Sequence, residues 1–128
     1  MTEKDKNQTA DANTDLTHLV IDAVQDRKGR DITIIDLSGM EGASTGKFII
    51  CTGNSTAQVG AIADNIRERL ASDARRKPYH YDGYRNCQWI VLDYGEAMIH
   101  VFLPDTRKFY DLESLWGDAP STEIPNLD

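Results

Sequence analysis

Few residues in this chain have the types and spacing needed for chemistry. The first candidates form a Gly-Asn-Ser turn. Gly53, Asn54 and Ser55 precede a helical pattern, and free backbone N–H groups at a helix N-terminus can bind a phosphate. Such a turn is more often a simple helix cap. Metal-dependent nucleotidyl transfer would also need clustered carboxylates to hold two cations. No Asp-x-Asp pair follows this turn, and Asp93 and Glu96 flank a different turn far along the chain. The residues therefore favour a protein without catalytic activity.

The histidines and cysteines form neither a metal-binding nor a nucleophilic pattern. His18, His80 and His100 fall in different predicted elements and lack the spacing of metal ligands. Cys51 and Cys87 fall inside predicted strands, where a free cysteine usually packs as a small apolar residue. We therefore expect no metal, no cofactor and no disulfide framework.

Size, charge and hydropathy are those of one globular domain. The chain has 128 residues and a net charge of −7, with 40% hydrophobic and 27% charged residues. No run reaches the roughly 18 apolar residues of a membrane span, and the first 15 residues lack the apolar segment of a secretory signal. We therefore expect a cytoplasmic protein. A pI near 4.8 argues against broad nucleic-acid binding and is compatible with a basic protein partner.

Much of the acidic charge lies at the two ends of the chain. Residues 1–15 hold four acids and two bases, and residues 117–128 hold three acids and no base. Neither end has an apolar pattern that could contribute to a core. We therefore expect a disordered acidic N-terminal tail over 1–13, one domain over 14–117 and a flexible acidic C-terminal tail over 118–128.

The apolar periodicity predicts the element order α-β-β-α-β-β-β-α. Helical spacing begins at Leu16 and again after Ser55, which is a good N-cap. β-branched runs over Asp31–Leu37 and Lys47–Thr52 predict strands. This order predicts a single α+β domain, with helices on the faces of a mixed sheet.

A hairpin between residues 87 and 103 gives the predicted sheet two unlike faces. Strands over Cys87–Leu92 and Ala97–Leu103 flank a turn at Gly95. Side chains alternate along a strand, so one face is apolar and forms the core side. The other face is mixed and carries Trp89, Val91, Asp93, Met98, His100 and Phe102.

Two interpretations of this mixed face are open. Aromatic anchors, methionine and a few charges are typical of a surface that binds another protein. Alternatively, a C-terminal helix covers the face and Trp89 is a core residue. Tyr110, Leu112, Leu115 and Trp116 follow at near-helical spacing, and we expect them to dock on the sheet.

Two segments closely resemble the ribosomal silencing factor family, also called Iojap-like. The first is Cys-Thr-Gly-Asn-Ser at 51–55, which runs into the helix that includes Ala-Ile-Ala-Asp-Asn-Ile at 61–66. The second is Trp-Ile-Val-Leu-Asp-Tyr-Gly-Glu at 89–96, continued by His-Val-Phe at 100–102 and by later positions as far as Trp116. The resemblance covers about residues 14–119 of the chain and includes one long, specific segment.

The resemblance implies a translation repressor that is not an enzyme. Family members bind the large ribosomal subunit through ribosomal protein L-fourteen and sterically block association with the small subunit. The resemblance also implies a nucleotidyltransferase-like fold without its catalytic motif. It makes Trp89 the leading partner contact, and it makes Val91, Met98, His100 and Phe102 further candidate partner-binding residues on the same face. Asp82, Asp93 and Glu96 become candidate partners for basic residues of the ribosomal protein.

The chain departs from the family pattern at two places. It has Gly46-Lys47-Phe48 where many members have an Asp-Tyr-Phe-like stretch, and Gln88 where many have an acidic residue before the tryptophan. The second departure removes one candidate salt bridge, and no role is assigned to the loop that contains the first.

Other functions stay open at this stage. A nucleotide-binding enzyme on the same fold and an assembly factor for the large subunit are the alternatives. The basic cluster over residues 67–77 suggests a minor contact with ribosomal RNA, although a solvated helix face explains it more simply. An exposed aromatic face could also form a weak homodimer.

Overall fold

The structure of the protein, a computed structural model, describes residues 16–127. The predicted N-terminal tail, residues 1–13, lies outside this range. Residues 16–26 are helical and are named α1 here. The other elements, in chain order, are β1 (Arg30–Asp36), β2 (Lys47–Thr52), α2 (Thr56–Ala74), β3 (His80–Asp82), β4 (Trp89–Asp93), β5 (Ala97–Phe102), α3 (Pro104–Tyr110), α4 (Leu112–Leu115) and β6 (Ser121–Ile124).

The six strands form one mixed sheet in the order β3-β4-β5-β2-β1-β6. Strands β2 and β5 run parallel, and the other four neighbouring pairs run antiparallel. The predicted α+β class and mixed sheet are therefore confirmed. The likeness to nucleotidyltransferases stays a prediction.

Helix α2 forms where capping and apolar spacing agree. The Ser55 hydroxyl accepts a hydrogen bond from the backbone N–H of Gln58 at 3.1 Å, which satisfies one of the free donors of the first turn. The helix ends where Arg75 adopts a left-handed conformation with φ +55°, and Pro78 follows shortly after. Its apolar stripe, with Val59, Ile62, Ala63, Ile66 and Leu70, is buried.

The main core lies between α1, α2 and one face of the sheet, which we call the helical face. Alternate residues of β4 and β5 contribute Ile90, Leu92, Ala97, Ile99 and Val101, all fully buried. The prediction that this side of the hairpin is the core side is confirmed. No described helix is long and apolar enough to cross a membrane.

The predicted flexible tail over 118–128 is wrong for most of its length. Residues 121–124 form β6, which pairs with β1 along the edge of the sheet. The backbone N–H of Asp36 also donates to the carbonyl of Pro120 at 2.8 Å, and the side chain of Asn126 accepts from the backbone N–H of Asp31 at 2.8 Å. The segment is held mainly by backbone hydrogen bonds while its side chains stay largely exposed. Its residues therefore show no apolar pattern.

Candidate functional site

The face of the sheet opposite the helical face is the candidate functional site, and we call it the second face. The cross-strand pairs are Trp89 with Phe102, Val91 with His100, and Asp93 with Met98. This is the predicted register, so the prediction that these six residues share a face is confirmed. Strand β2 lies beside β5 and extends the second face with Phe48, Ile50 and Thr52.

One end of the second face is covered by the C-terminal segment. A small second core contains Ile35, Leu37, Ile50, Phe102 and Ala119, with Phe48, Trp89, Leu112 and Trp116 packed against it. Phe102 and His100 are buried there, with 0% and 3% of their surfaces exposed. These two residues are therefore not accessible to a partner in this structure, because Leu112, Trp116 and neighbouring side chains already cover this end.

The other end of the second face is open. Val91, Asp93 and Met98 are only partly buried. Asp82 lies opposite Val91 on the edge strand β3 and is exposed. Neither interpretation of the face therefore holds throughout: the part around His100 and Phe102 is core, and the part formed by Val91, Asp93 and Met98 is partly exposed.

Trp89 stands at the boundary between these two ends. Its ring stacks on Phe102 with centroids 5.0 Å apart and lies 4.7 Å from the ring of Tyr110. Its Nε1–H donates to Nδ1 of His100 at 3.1 Å. The indole is therefore partly buried and held on three sides. The contact with Tyr110 is not predictable from strand alternation, because Tyr110 reaches Trp89 from α3.

Arg107 attaches α3 and α4 to the sheet. Its guanidinium donates to the carbonyl of Asp31 at 2.6 Å and to the hydroxyls of Thr52 at 2.9 Å and Thr33 at 3.1 Å. It also donates twice to one carboxylate oxygen of Glu113, at 2.7 and 3.1 Å. A planar guanidinium with several fixed donors suits such a junction. The sequence shows only that Arg107 lies in the family-like segment, not that it links four parts of the fold.

Glu96, which stays a candidate partner contact, is paired within the protein: its carboxylate accepts two hydrogen bonds from Arg76, at 2.7 and 2.8 Å. The same hydrogen bonds lower the pKa of Glu96. Leu115, expected to dock on the sheet, is 71% exposed. The short helix α4 has too few turns to bury its whole apolar set against the sheet; Leu112 and Trp116 pack there instead.

Part of the basic cluster over residues 67–77 is engaged within the protein, whereas Arg75 and Lys77 are exposed. Arg69 contacts the carboxylates of Asp26 at 2.7 Å and Asp73 at 3.2 Å. The guanidinium of Arg67 lies 4.0 Å from the ring centroid of Tyr81, a cation–π distance. These contacts support the interpretation of a solvated, internally paired helix face over one of RNA contact.

The first two backbone donors of the Gly-Asn-Ser turn are occupied, and its serine caps helix α2. The N–H of Gly53 donates to the carbonyl of Phe102 at 2.9 Å, and the N–H of Asn54 donates to the side chain of Gln58 at 2.6 Å. The turn is therefore a helix cap in this structure, not an open phosphate cradle. Within residues 16–127, no group of three or more His, Cys, Asp or Glu could hold a metal ion.

The cysteines do not differ from ordinary packing residues. Cys51 is fully buried, and burial raises the pKa of its thiol to about 12, which disfavours the thiolate. Cys87 was expected inside a strand, but β4 begins only at Trp89. Cys87 instead has φ +53° and its thiol donates to the carbonyl of Tyr84 at 3.1 Å.

Comparison with known proteins identifies relatives along nearly the whole chain. The family model described as "Ribosomal silencing factor during starvation" matches residues 9–128. The ribosomal silencing factor RsfS of Halalkalibacterium halodurans is 35% identical over 116 residues, which cover 91% of this chain and 97% of that protein. RsfS of Bacillus subtilis is 36% identical over 102 residues, 80% of this chain and 85% of that protein.

A solved structure supports the same relationship. The crystal structure of a protein from Chromobacterium violaceum matches with a TM-score of 0.76 and 34% sequence identity. The match covers 81% of this chain and 85% of that chain. The fold described above is therefore shared, over most of the chain, with an experimentally determined structure.

Proposed function

The chain belongs to the ribosomal silencing factor family, and we propose that it binds the large ribosomal subunit through ribosomal protein L-fourteen and blocks association with the small subunit. The role is regulatory and works by occupancy, because no covalent bond is made or broken. Repression then depends on affinity for the large subunit and on steric overlap with the small one.

The observation that best supports this proposal is the position of Trp89. A partly buried tryptophan beside an open apolar surface is typical of a binding hot spot. Val91 and Met98 supply that surface on the neighbouring positions of the hairpin. The already ordered indole can pack against a partner with little further loss of side-chain entropy.

Acidic groups at the open end favour a basic partner. Asp82 and Asp93 lie on neighbouring strands at this end of the second face. Charges at the rim of an interface mainly increase association rate and specificity, while buried aromatic anchors supply most of the affinity. We therefore expect substitutions of the two aspartates to act chiefly on the association rate and its salt dependence.

Co-sedimentation with purified large subunits, followed by addition of small subunits, tests the proposal. Wild-type protein should co-sediment and lower the fraction of joined ribosomes. Trp89→Ala should weaken binding by about 2 kcal/mol, or roughly thirtyfold in Kd. Tyr81→Ala is the control, because Tyr81 is an exposed aromatic residue on the neighbouring strand but pairs with Leu92, a helical-face position.

The two variants separate binding from folding. Circular dichroism of each variant establishes that it is folded before its affinity is compared. Should Trp89→Ala unfold, Trp89→Phe keeps the ring contacts and still removes part of the hot spot. Equal affinity of folded Trp89 variants and wild type would remove Trp89 from the interface, and wild-type protein that fails to bind large subunits at low salt would overturn the proposed function.

A further inference from the structure

Resting on the proposed function, we infer that His100 is a positioning residue for docking: it holds the indole of Trp89 in its binding orientation and does not touch the partner itself. This assigns His100 a role different from that of a contact residue. The assignment depends on the hydrogen bond between the two rings, the burial of the imidazole and the state of its second nitrogen.

The hydrogen bond defines the tautomer of His100. The indole Nε1 of Trp89 lies 3.1 Å from Nδ1 of His100. An indole N–H can only donate, so Nδ1 must carry a lone pair. The neutral imidazole then carries its proton on Nε2.

His100 cannot reach a partner directly in this arrangement. Only 3% of its surface is exposed. The ring of Phe48 covers it with centroids 4.4 Å apart, and Phe102 lies nearly parallel to it at 6.1 Å. Any effect of His100 on docking must therefore pass through a neighbour that is accessible, and Trp89 is the neighbour to which it is hydrogen-bonded.

Packing alone does not account for a histidine here. Its Nε2 is buried and has no hydrogen-bond partner among the described residues. A buried donor without a partner opposes folding, and an apolar ring would fill similar space without that penalty. The group that an apolar ring lacks is the acceptor at Nδ1. Burial also lowers the pKa of His100 to about 4, so this acceptor is unprotonated at neutral pH.

The hydrogen bond restricts motions of the Trp89 ring that the aromatic contacts do not restrict. Stacking on Phe102 and a tilted contact with Tyr110 limit the tilt of the Trp89 ring, but such ring contacts tolerate sliding and in-plane rotation. A directional N–H bond fixes where the indole edge points. Ordering the ring before binding spares the complex that part of the entropy cost.

Three substitutions at position 100 separate the acceptor from the ring. His100→Phe keeps an aromatic ring and removes the acceptor. His100→Asn keeps an acceptor close to the Nδ1 position, whereas His100→Gln places its amide nearer the Nε2 position. We expect His100→Phe and His100→Gln to weaken large-subunit binding about three- to tenfold, and His100→Asn to retain near wild-type affinity. His100→Gln replaces His100→Phe as the test if the phenylalanine variant does not fold.

The indole N–H resonance of Trp89 gives a readout that does not depend on the ribosome. In wild type and His100→Asn we expect a hydrogen-bonded shift and slow exchange with solvent. In His100→Phe and His100→Gln the resonance should move and exchange faster. Ile50→Val is the matched control, because Ile50 lies beside His100 on β2 in the same small core. It should change neither the resonance nor the affinity appreciably.

A double-mutant cycle decides between positioning and contact. In a Trp89→Phe background no indole N–H exists, so adding His100→Phe should cause no further loss of large-subunit affinity. Additive losses would overturn the inference, because His100 would then act independently of Trp89. Failure of the wild-type protein to bind would instead overturn the proposed function and this inference with it.

Discussion

The two faces of the sheet differ in how completely they are covered. On the helical face, α1 and α2 bury a continuous apolar set, and the hairpin residues on that side are fully buried. On the second face, the short segment from α3 to Ala119 covers only one end. The comparison indicates that one fully covered face supplies most of the folding energy, which leaves part of the other face available to bind a partner.

The polar groups on the two faces also have different structural roles. On the helical side, the buried amide of Asn65 donates to the carbonyl of Ala23 at 2.9 Å and links α2 to α1. On the second face, Arg107 links α3 to the strands, and His100 orients Trp89. Polar contacts on the helical side therefore join core helices, whereas those on the second face arrange the edge of the candidate interface.

The largest expected effect is on the helical face. Ile66 is fully buried in the main core, so Ile66→Ala should lower the free energy of unfolding by about 4 kcal/mol. The affinity of the folded fraction for large subunits should not change. Denaturant titration and co-sedimentation measure the two quantities.

Val91→Ala is the corresponding test on the open end of the second face. Because Val91 is only partly buried, its loss should cost about 1 kcal/mol of stability but should weaken binding. A Val91 variant as unstable as Ile66→Ala, with unchanged affinity, would show that the two faces are not divided as described.

A further prediction concerns the pH dependence of stability, which His100 should affect because it is buried at the covered end of the second face. Burial holds the pKa of His100 at about 4 in the folded protein, against 6.5 for an ordinary histidine. Below pH 6.5 the unfolded chain takes up a proton at this position that the folded chain does not. The resulting stability is therefore fully present above pH 6.5 and is lost as the pH falls towards 4, by about 3 kcal/mol in total.

His100→Phe provides the control for the acid prediction. Urea unfolding of wild type and variant at several pH values from 7 to about 4 isolates the contribution of His100, because the other titrating groups are common to both. The wild type should lose more stability than the variant over this range. Parallel curves would mean that His100 is accessible to protons, and that this end of the face is more open than the structure shows.

The smallest expected effect concerns Glu96, at the hairpin turn between the two faces. Glu96 and Arg76 each have side chains 33% exposed, so solvent screens their ion pair. Glu96→Gln should cost less than about 1 kcal/mol of stability and should leave large-subunit affinity unchanged. Weaker binding by a fully stable variant would instead support Glu96 as a partner contact.

The hairpin and its register could be predicted because local patterns determine them. Alternation from Trp89 to Asp93, a turn at Gly95 and the apolar set that follows agree on one pairing, which the structure contains. The cap at Ser55 is equally local. In such segments the residues that set the structure lie within a few positions of one another in sequence.

The features that could not be predicted depend on distant parts of the chain. Strand β6 adds to β1 through backbone hydrogen bonds, so no side-chain pattern marks it. Arg107 reaches Thr33 from 74 positions away. Helices α3 and α4 determine which part of the second face is covered and which part is open. Long-range contacts such as these determine where the two helices attach. The composition of the face therefore indicated a candidate site, but not which half of it is open.

Site-specific photo-cross-linking tests the central claim that the open end of the second face docks on the large subunit. A photoreactive residue at position 98, on the second face, is compared with one at Glu68, an exposed position on the outer surface of α2. We predict a cross-link from position 98 to ribosomal protein L-fourteen and none from position 68. Cross-linking from position 68 with none from position 98 would contradict the account, because the helical side would then be the docking surface.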